Sequence, residues 1–261
     1  MTFFELVLLG LFIGGVTGVT GASGVLLMVP IFSTFYDIPL PVILGTSLLI
    51  DVIVSTSVSF AYARAKNVDI KGILWLLVGT LLGAQIGSYF VVSVSKSFII
   101  LAIALGMVFF GIKMWRSGFS HNEAPVVPEK ISFYIRTPIG MILSGLIVGL
   151  ATGIFGAGGG LTVFIILYSF LKFPIKKAVG TSSFIMLFTA LSGVAGYFQN
   201  GNLDISLGLI VGISAFIGGA FSSVIANRVN EKILSRVIGA FFMFFALIMF
   251  LLKVLLPLLG L

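Results

Sequence analysis

The chain has no cysteine, a single histidine, and charge on only 9% of its 261 residues. The missing cysteines exclude disulfides, thiolate metal sites, iron–sulfur clusters and cysteine nucleophiles. The one histidine, His121, sits in the most polar stretch, which excludes haem or zinc sites built on several histidines. The scarcity of charge matters most. Soluble domains carry about 25% charged residues, whereas this chain is 59% hydrophobic with a mean hydropathy of +1.25. That leaves too little polar material to wet a soluble surface, and the composition calls for an integral membrane protein. The net charge of +7 is not interleaved with exposed aromatics in a basic patch, so no nucleic-acid partner is expected. It reads instead as basic loops facing the cytoplasm. Met1–Glu5 holds no Lys or Arg, so a cleaved signal peptide is not expected.

What the chain has in excess is glycine, 32 residues of it, and the glycines repeat. Residues 17–24 read TGVTGASG and residues 152–159 read TGIFGAGG, a spacing of 135. Without a gap the same spacing aligns Gly10 with Gly145, Gly14 with Gly149 and Pro39 with Pro174. It also aligns Gly45-Thr46-Ser47 with Gly180-Thr181-Ser182, Tyr62 with Tyr197, Asn67 with Asn202, Asp69 with Asp204, and Gly83 with Gly218. One spacing held over a hundred residues means two copies of one unit. The expected division is a first transmembrane repeat over 1–115, a cytoplasmic linker over 116–137 and a second repeat over 138–261.

Each unit has a glycine-broken pair of short apolar stretches followed by three longer ones. The longer stretches are 40–62, 72–93 and 98–115, then 176–198, 206–227 and 233–256. Each long stretch spans about 30 Å of hydrocarbon at 1.5 Å per residue. The pieces at 138–151 and 161–171 are expected to be too short, at about 21 and 17 Å. Four basic clusters then set the topology: Arg64, Lys66 and Lys71; Lys113, Arg116, Lys130 and Arg136; Lys172, Lys176 and Lys177; Arg228, Lys232 and Arg236. Placing all four in the cytoplasm leaves only Lys96 and Lys253 outside. Each glycine pair must then enter and return on one side. The odd number of full spans inverts the second unit, and both termini lie on the outer face. The fold expected is an all-α integral membrane protein of two inverted-topology repeats, each a glycine-broken helical hairpin plus three transmembrane helices. Inverted repeats with broken helices are the plan of secondary transporters, and irregular backbone at that depth must be buried or line a cavity.

The doubled T-G-x-x-G-A-x-G break, the G-T-S that follows it, N-x-D-I at the start of a span and G-A-Q-I-G at 83–87 together resemble the TauE/SafE sulfite exporter family. The resemblance covers nearly the whole chain. It implies transport of a small sulfur-containing anion, such as sulfite, a sulfonate or sulfoacetate, across a bacterial inner membrane. The first copy departs from the fuller glycine pattern. It has Ser23 and Val25 where the second has Gly158 and Gly160.

An anionic cargo needs partners, and no Lys or Arg falls at the centre of a span. Dipoles must serve: inward helix N-termini and the N–H groups of glycine-rich turns. The candidate binding residues are Gly21, Ser23 and Gly24 in the first tip and Gly156, Gly158 and Gly159 in the second. Thr17, Thr20 and Thr152 supply hydroxyls, as do Thr46, Ser47, Thr181 and Ser182 in the first turns of the following spans. The bland alternatives are tight turns and close packing for the glycines, and bonds back to the helix backbone or to a neighbouring helix for the hydroxyls. Asp51 is the one acidic residue near the middle of a span, and its repeat mate is Met186. An intramembrane carboxylate is costly and is a candidate for proton or cation coupling. The bland reading is a protonated Asp bonded to Ser55 or to a neighbouring helix. Gln85, with Ala220 as mate, is a weaker candidate. Asp69 and Asp204 are expected to be helix N-caps, and Trp75 and Trp115 interfacial anchors.

The combined expectation is a secondary transporter of a small anion working by alternating access between two glycine-rich hairpins, with no cofactor. A passive anion channel on the same scaffold is the alternative. A membrane enzyme is disfavoured by the lack of Cys, of clustered His and of paired intramembrane carboxylates. The expected partners are the anion, the lipid bilayer and a second copy of the chain as a homodimer.

Overall fold

The computed structural model describes residues 2–36, 38–70, 73–90, 137–155 and 159–250, with isolated helical positions between 101 and 116. All regular elements among these residues are helical: α1 (Phe3–Thr20), α2 (Val25–Phe35), α3 (Leu40–Arg64), α4 (Leu74–Phe90), α5 (Pro138–Phe155), α6 (Gly160–Ile165, continued by a π-helical turn over Ile166–Phe170), α7 (Ile175–Gln199), α8 (Ile205–Arg228) and α9 (Glu231–Phe250). Five of them, α1, α3, α5, α7 and α8, are long and apolar enough to cross a membrane. The 138–151 expectation is corrected here. The helix runs on to Phe155, so α1 and α5 are both 18 residues, or about 27 Å.

Small residues set how these helices approach. With apolar lipid on one side and apolar side chains on the other, burial gives little drive inside a bilayer, so close backbone packing carries association. Gly10, Gly14 and Gly18 of α1 meet Val211, Ala215 and Gly219 of α8 in ascending order, so the two helices run parallel. A Cβ at Gly14 would collide with the Ala215 carbonyl. In the same manner Gly79, Gly83 and Gly87 of α4 meet Gly145, Gly149 and Gly153 of α5, again in parallel. Leu49 and Ile53 of α3 lie against Gly208 and Gly212 of α8, a third parallel pair. Between α4 and α7, Ser192 Oγ donates to the Leu81 carbonyl at 2.9 Å, and Gly196 sits on Ser88. The central contact differs. Gly45, Leu48 and Tyr62 of α3 meet Tyr197, Gly193 and Gly180 of α7 in descending order, so α3 and α7 are antiparallel.

These directions order the molecule. Helices α1, α3 and α8 run one way, and α4, α5 and α7 the other. Since α1 and α3 point alike, α2 between them runs back, and α1–α2 is a hairpin that leaves and returns at one end. The same holds for α5–α6 before α7. Each hairpin's long arm lies not on its own repeat but along a helix of the other: α1 on α8, and α5 on α4.

Two pairs of polar bonds fasten the crossing, at mates in the repeat. The Asp204 N–H donates to Thr46 Oγ1 and the Asp69 N–H to Thr181 Oγ1, both at 3.0 Å. These mark the two ends of the bundle, called here the Thr46 end and the Thr181 end. The Tyr62 hydroxyl donates to the Gly18 carbonyl at 3.1 Å and the Tyr197 hydroxyl to the Gly153 carbonyl at 2.8 Å. Both rings are fully buried. The helix exits also match. The Asn67 N–H bonds to the Tyr62 carbonyl and the Asn202 N–H to the Tyr197 carbonyl, with the left-handed residue Lys66 (φ 60°) in one and Gly201 (φ 70°) in the other. That is the helix-ending turn glycine favours.

Candidate functional site at the hairpin tips

The first hairpin turns at Gly21, whose φ of +66° is available to glycine without strain. Its N–H closes α1 on the Thr17 carbonyl at 2.7 Å. Thr20 shapes the turn from both sides. Its hydroxyl donates to the Val16 carbonyl at 2.8 Å and accepts from the Ala22 N–H at 3.0 Å. The chain then enters α2 through Ser23 and Gly24, and both face Asp51. The Ser23 hydroxyl donates to Asp51 Oδ2, and the Gly24 N–H donates to Oδ1 at 2.7 Å. The Ser23 oxygen also accepts from the Val25 N–H at 3.2 Å. The N-terminus of α2 thus holds a carboxylate, as the positive end of a helix dipole favours.

Asp51 is fully buried and is the only charged side chain buried among the described residues. Of the two partners the plain reading offered, Ser55 or a neighbouring helix, the structure has the second: Ser23 and Gly24 at the start of α2 hold the side chain, and Ser55 Oγ has no hydrogen-bond partner.

In the second hairpin, Gly156 and Gly158 lie outside the described residues. Gly159 has φ +79° and opens α6, and its carbonyl accepts from the Val163 N–H at 2.8 Å. It lies beside the Thr152 hydroxyl, which itself donates to the Val148 carbonyl at 2.9 Å. Gly160 packs on the Gly21 carbonyl and on the Met186 sulfur. The tips therefore meet, backbone on backbone, between the middle turns of α3 and α7. Where the first tip has a carboxylate the second has a thioether.

The other candidates distribute as follows. Thr17 is buried in the last turn of α1. Ser182 adjoins Gly21 and bonds back to the Val179 carbonyl at 3.0 Å, and Ser47 bonds back to Leu44 at 2.7 Å. Thr46 and Thr181 lie away from the tips, on the loop amides described above. Gln85 is on the flank of α4, where its amide reaches the Tyr89 hydroxyl at 3.5 Å and Tyr89 donates to Gln199. Asp204 is an N-cap, accepting from the Leu207 N–H at 2.9 Å, while the Asp69 carboxylate forms an ion pair with Lys177 at 3.0 Å. A cavity of about 910 Å³ between α3 and α8, lined by Phe60, Arg64, Phe216 and Arg228 among others, contains none of the tip residues. The tyrosines that pin Gly18 and Gly153 were visible in the sequence only as repeat markers. Their constant spacing from those glycines was the available signal.

Apolar helices of spanning length, gathered around two broken hairpins whose glycine tips touch, define the class: a polytopic helical membrane protein with its irregular backbone in the interior. Comparison makes it specific. The chain belongs to the Sulfite exporter TauE/SafE family, whose model matches residues 6–249. It is 27% identical over 254 residues to the probable membrane transporter protein YunE of Bacillus subtilis, covering 89% of this chain and 91% of the relative. It is 28% identical over 242 residues to a probable membrane transporter protein of Methanocaldococcus jannaschii, covering 87% and 86%. No solved structure matches it. The protein is a membrane transporter of this family.

Proposed function

We propose that the chain is a secondary transporter of a small sulfur-oxygenated anion, of the sulfite, sulfonate or sulfoacetate type, moving it by alternating access between the two hairpin tips. The observation that carries this reading is the engagement of Asp51 by the first tip. A hydroxyl and a backbone N–H held at a helix N-terminus receive an oxyanion, and an oxyanion is what the family name implies as cargo. Asp51 acts as a built-in stand-in for that anion. Protonation weakens its hold on Ser23 and Gly24 and frees those donors for cargo, which couples anion movement to a proton. Among the described residues no other charged side chain lies at that depth. Glu5 of α1 is at the Thr46 end. Lys176 and Lys177 of α7, Arg228 of α8 and Arg64 of α3 are at the Thr181 end. The described side chains of α2 include no charged residue.

In this reading the two repeats, 1–115 and 138–261, are inverted relative to each other, which the antiparallel pairing of α3 and α7 supports. The membrane is a bacterial inner membrane. The Thr181 end, rich in Lys and Arg beside the loop at 66 and the starts of α7 and α9, faces the cytoplasm with the 116–137 linker. The termini face outward.

The test is uptake of labelled sulfite and of sulfoacetate into proteoliposomes, with and without an inward proton gradient, beside empty liposomes. Saturable, gradient-stimulated uptake is expected. Failure of both anions to enter, from folded and inserted protein, overturns the cargo class. Non-saturable flux without trans-stimulated exchange favours a passive anion channel.

A further inference from the structure

Helix α3 carries six serines and threonines, Thr46, Ser47, Ser55, Thr56, Ser57 and Ser59, whose hydroxyls fall into two groups. Four of them are hydrogen-bonded to their own helix or to a neighbour. Ser47 donates to Leu44, Thr56 to Val52 at 2.9 Å, Ser57 to Val54 at 2.9 Å, and Thr46 accepts from Asp204. This is the ordinary behaviour of hydroxyls in membrane helices. Ser55 and Ser59 do not follow it. Both are buried, and neither Oγ has a hydrogen-bond partner. A buried hydroxyl without a partner is costly and is commonly met by water.

Their placement is not arbitrary. Positions 51, 55 and 59 recur every fourth residue and share one face of the helix, one turn apart. Exposure rises toward the end of the helix. Asp51 and Ser55 are fully buried, Ser59 is 5% exposed, and Ala63, one turn further and round toward the helix flank, is at the surface. From Asp51 to Ala63 the rise is about 18 Å, and it ends at the Thr181 end. The repeat mates of the three residues are Met186, Ala190 and Val194, so the second copy presents the same face of α7 as an unbroken apolar stripe. A polar face kept on one copy and erased on the other is not a requirement of the shared fold.

We propose that Asp51, Ser55 and Ser59 line a narrow hydrated track by which Asp51 exchanges its proton with the aqueous phase at the Thr181 end. It rests on the reading of Asp51 as the coupling residue and adds the route and the side. Water held between Ser59 and Ser55 hydroxyls relays the proton to the carboxyl oxygens, which Ser23 and Gly24 hold in place. The mating stripe on α7 stays dry, so protons reach the tips from one side of the bundle only.

The chain has no cysteine, which makes the test direct. Ser55→Cys, Ser59→Cys, Ala190→Cys and Val194→Cys are placed one at a time in the full chain in oriented proteoliposomes. Each is treated with the small water-soluble thiol reagent aminoethyl methanethiosulfonate from either side. Positions 59 and 55 are expected to react at least tenfold faster than 194 and 190, 59 ahead of 55, and only from the Thr181 end. Equal rates at all four positions, or reaction from the Thr46 end, overturns the track. A second measurement reads its use. Ser55→Ala with Ser59→Ala should slow gradient-driven sulfite uptake several-fold with an unchanged KM, and Ser→Thr at both positions should restore it. Wild-type uptake by the Ala pair means the protons do not use this face. Because the labelling needs no transport, a labelled track in a chain that moves no sulfite would condemn the cargo assignment, not the track.

Discussion

The two hairpin tips descend from one repeated motif and do different things. The first has Ser23, Gly24 and, across from them, a carboxylate that takes both their protons into hydrogen bonds. The second has glycine at the position of Ser23 and Met186 at the position of Asp51, with Gly160 laid against the Gly21 carbonyl. The surrounding frame is symmetric: paired tyrosines, paired threonines and paired glycine seams recur on both sides. The frame recurs in both copies while the tips differ, and the proposed transport rests on that difference: the carboxylate is at the first tip alone.

That contrast is open to attack. The largest effect is expected from Met186→Asp, which gives the second tip its own carboxylate. Sulfite uptake should fall to the level of empty liposomes while Met186→Asn keeps most of it; wild-type uptake by the Asp variant would show that the second tip does not take the anion. Gly160→Val comes next. Its Cβ would strike the Gly21 carbonyl, so uptake should be lost with the protein still monodisperse on size exclusion. Asp51→Asn should flatten the pH response. The sign follows from the linkage: protons neutralise Asp51 and vacate the first tip, so wild-type uptake rises as pH falls, and the Asn variant no longer follows pH. An unchanged pH profile in that variant removes Asp51 from coupling. Thr46→Val and Thr181→Val each orphan one loop N–H, and each should cost about 1–2 kcal/mol in unfolding experiments. Equal costs confirm that these two belong to the symmetric frame. Smallest, Lys66→Gly relaxes a left-handed residue at a helix exit and should stabilise by about 0.5–1 kcal/mol, whereas Gly201→Lys at its mate should lose a similar amount.

Much of the frame was legible in sequence because repetition is a long-range signal that survives without any knowledge of contacts. The spacing between TGVTGASG and TGIFGAGG placed the two glycine breaks at the ends of α1 and α5. The helix limits of α3, α7 and α8 followed from hydropathy within two residues. Length failed at α5, because Thr152 and Gly153 are read as break residues when Tyr197 in fact holds that turn helical through the Gly153 carbonyl. The partner of Asp51 was missed for a related reason. Periodicity finds neighbours on one helix, which suggested Ser55; it allows a neighbouring helix but cannot name Ser23, which the hairpin folds across 28 positions onto the carboxylate. The bonds of Thr46 and Thr181 to the opposite copy were invisible likewise, since no local pattern encodes a neighbour more than a hundred residues away.

The crossed seams bear on how such a chain is made. Helix α1 has its glycine face cut to fit α8, which leaves the ribosome some two hundred residues later. At about 5–20 residues per second, α1 waits on the order of ten to forty seconds in the bilayer before its partner arrives. During that time its glycine stripe faces lipid or the insertion machinery. The first copy cannot finish folding alone, and a split gene should work only when both pieces are supplied together. The same reciprocal exchange of arms is what two identical single-copy chains would make in a two-fold pair of opposite orientation, each lending its first helix to the other.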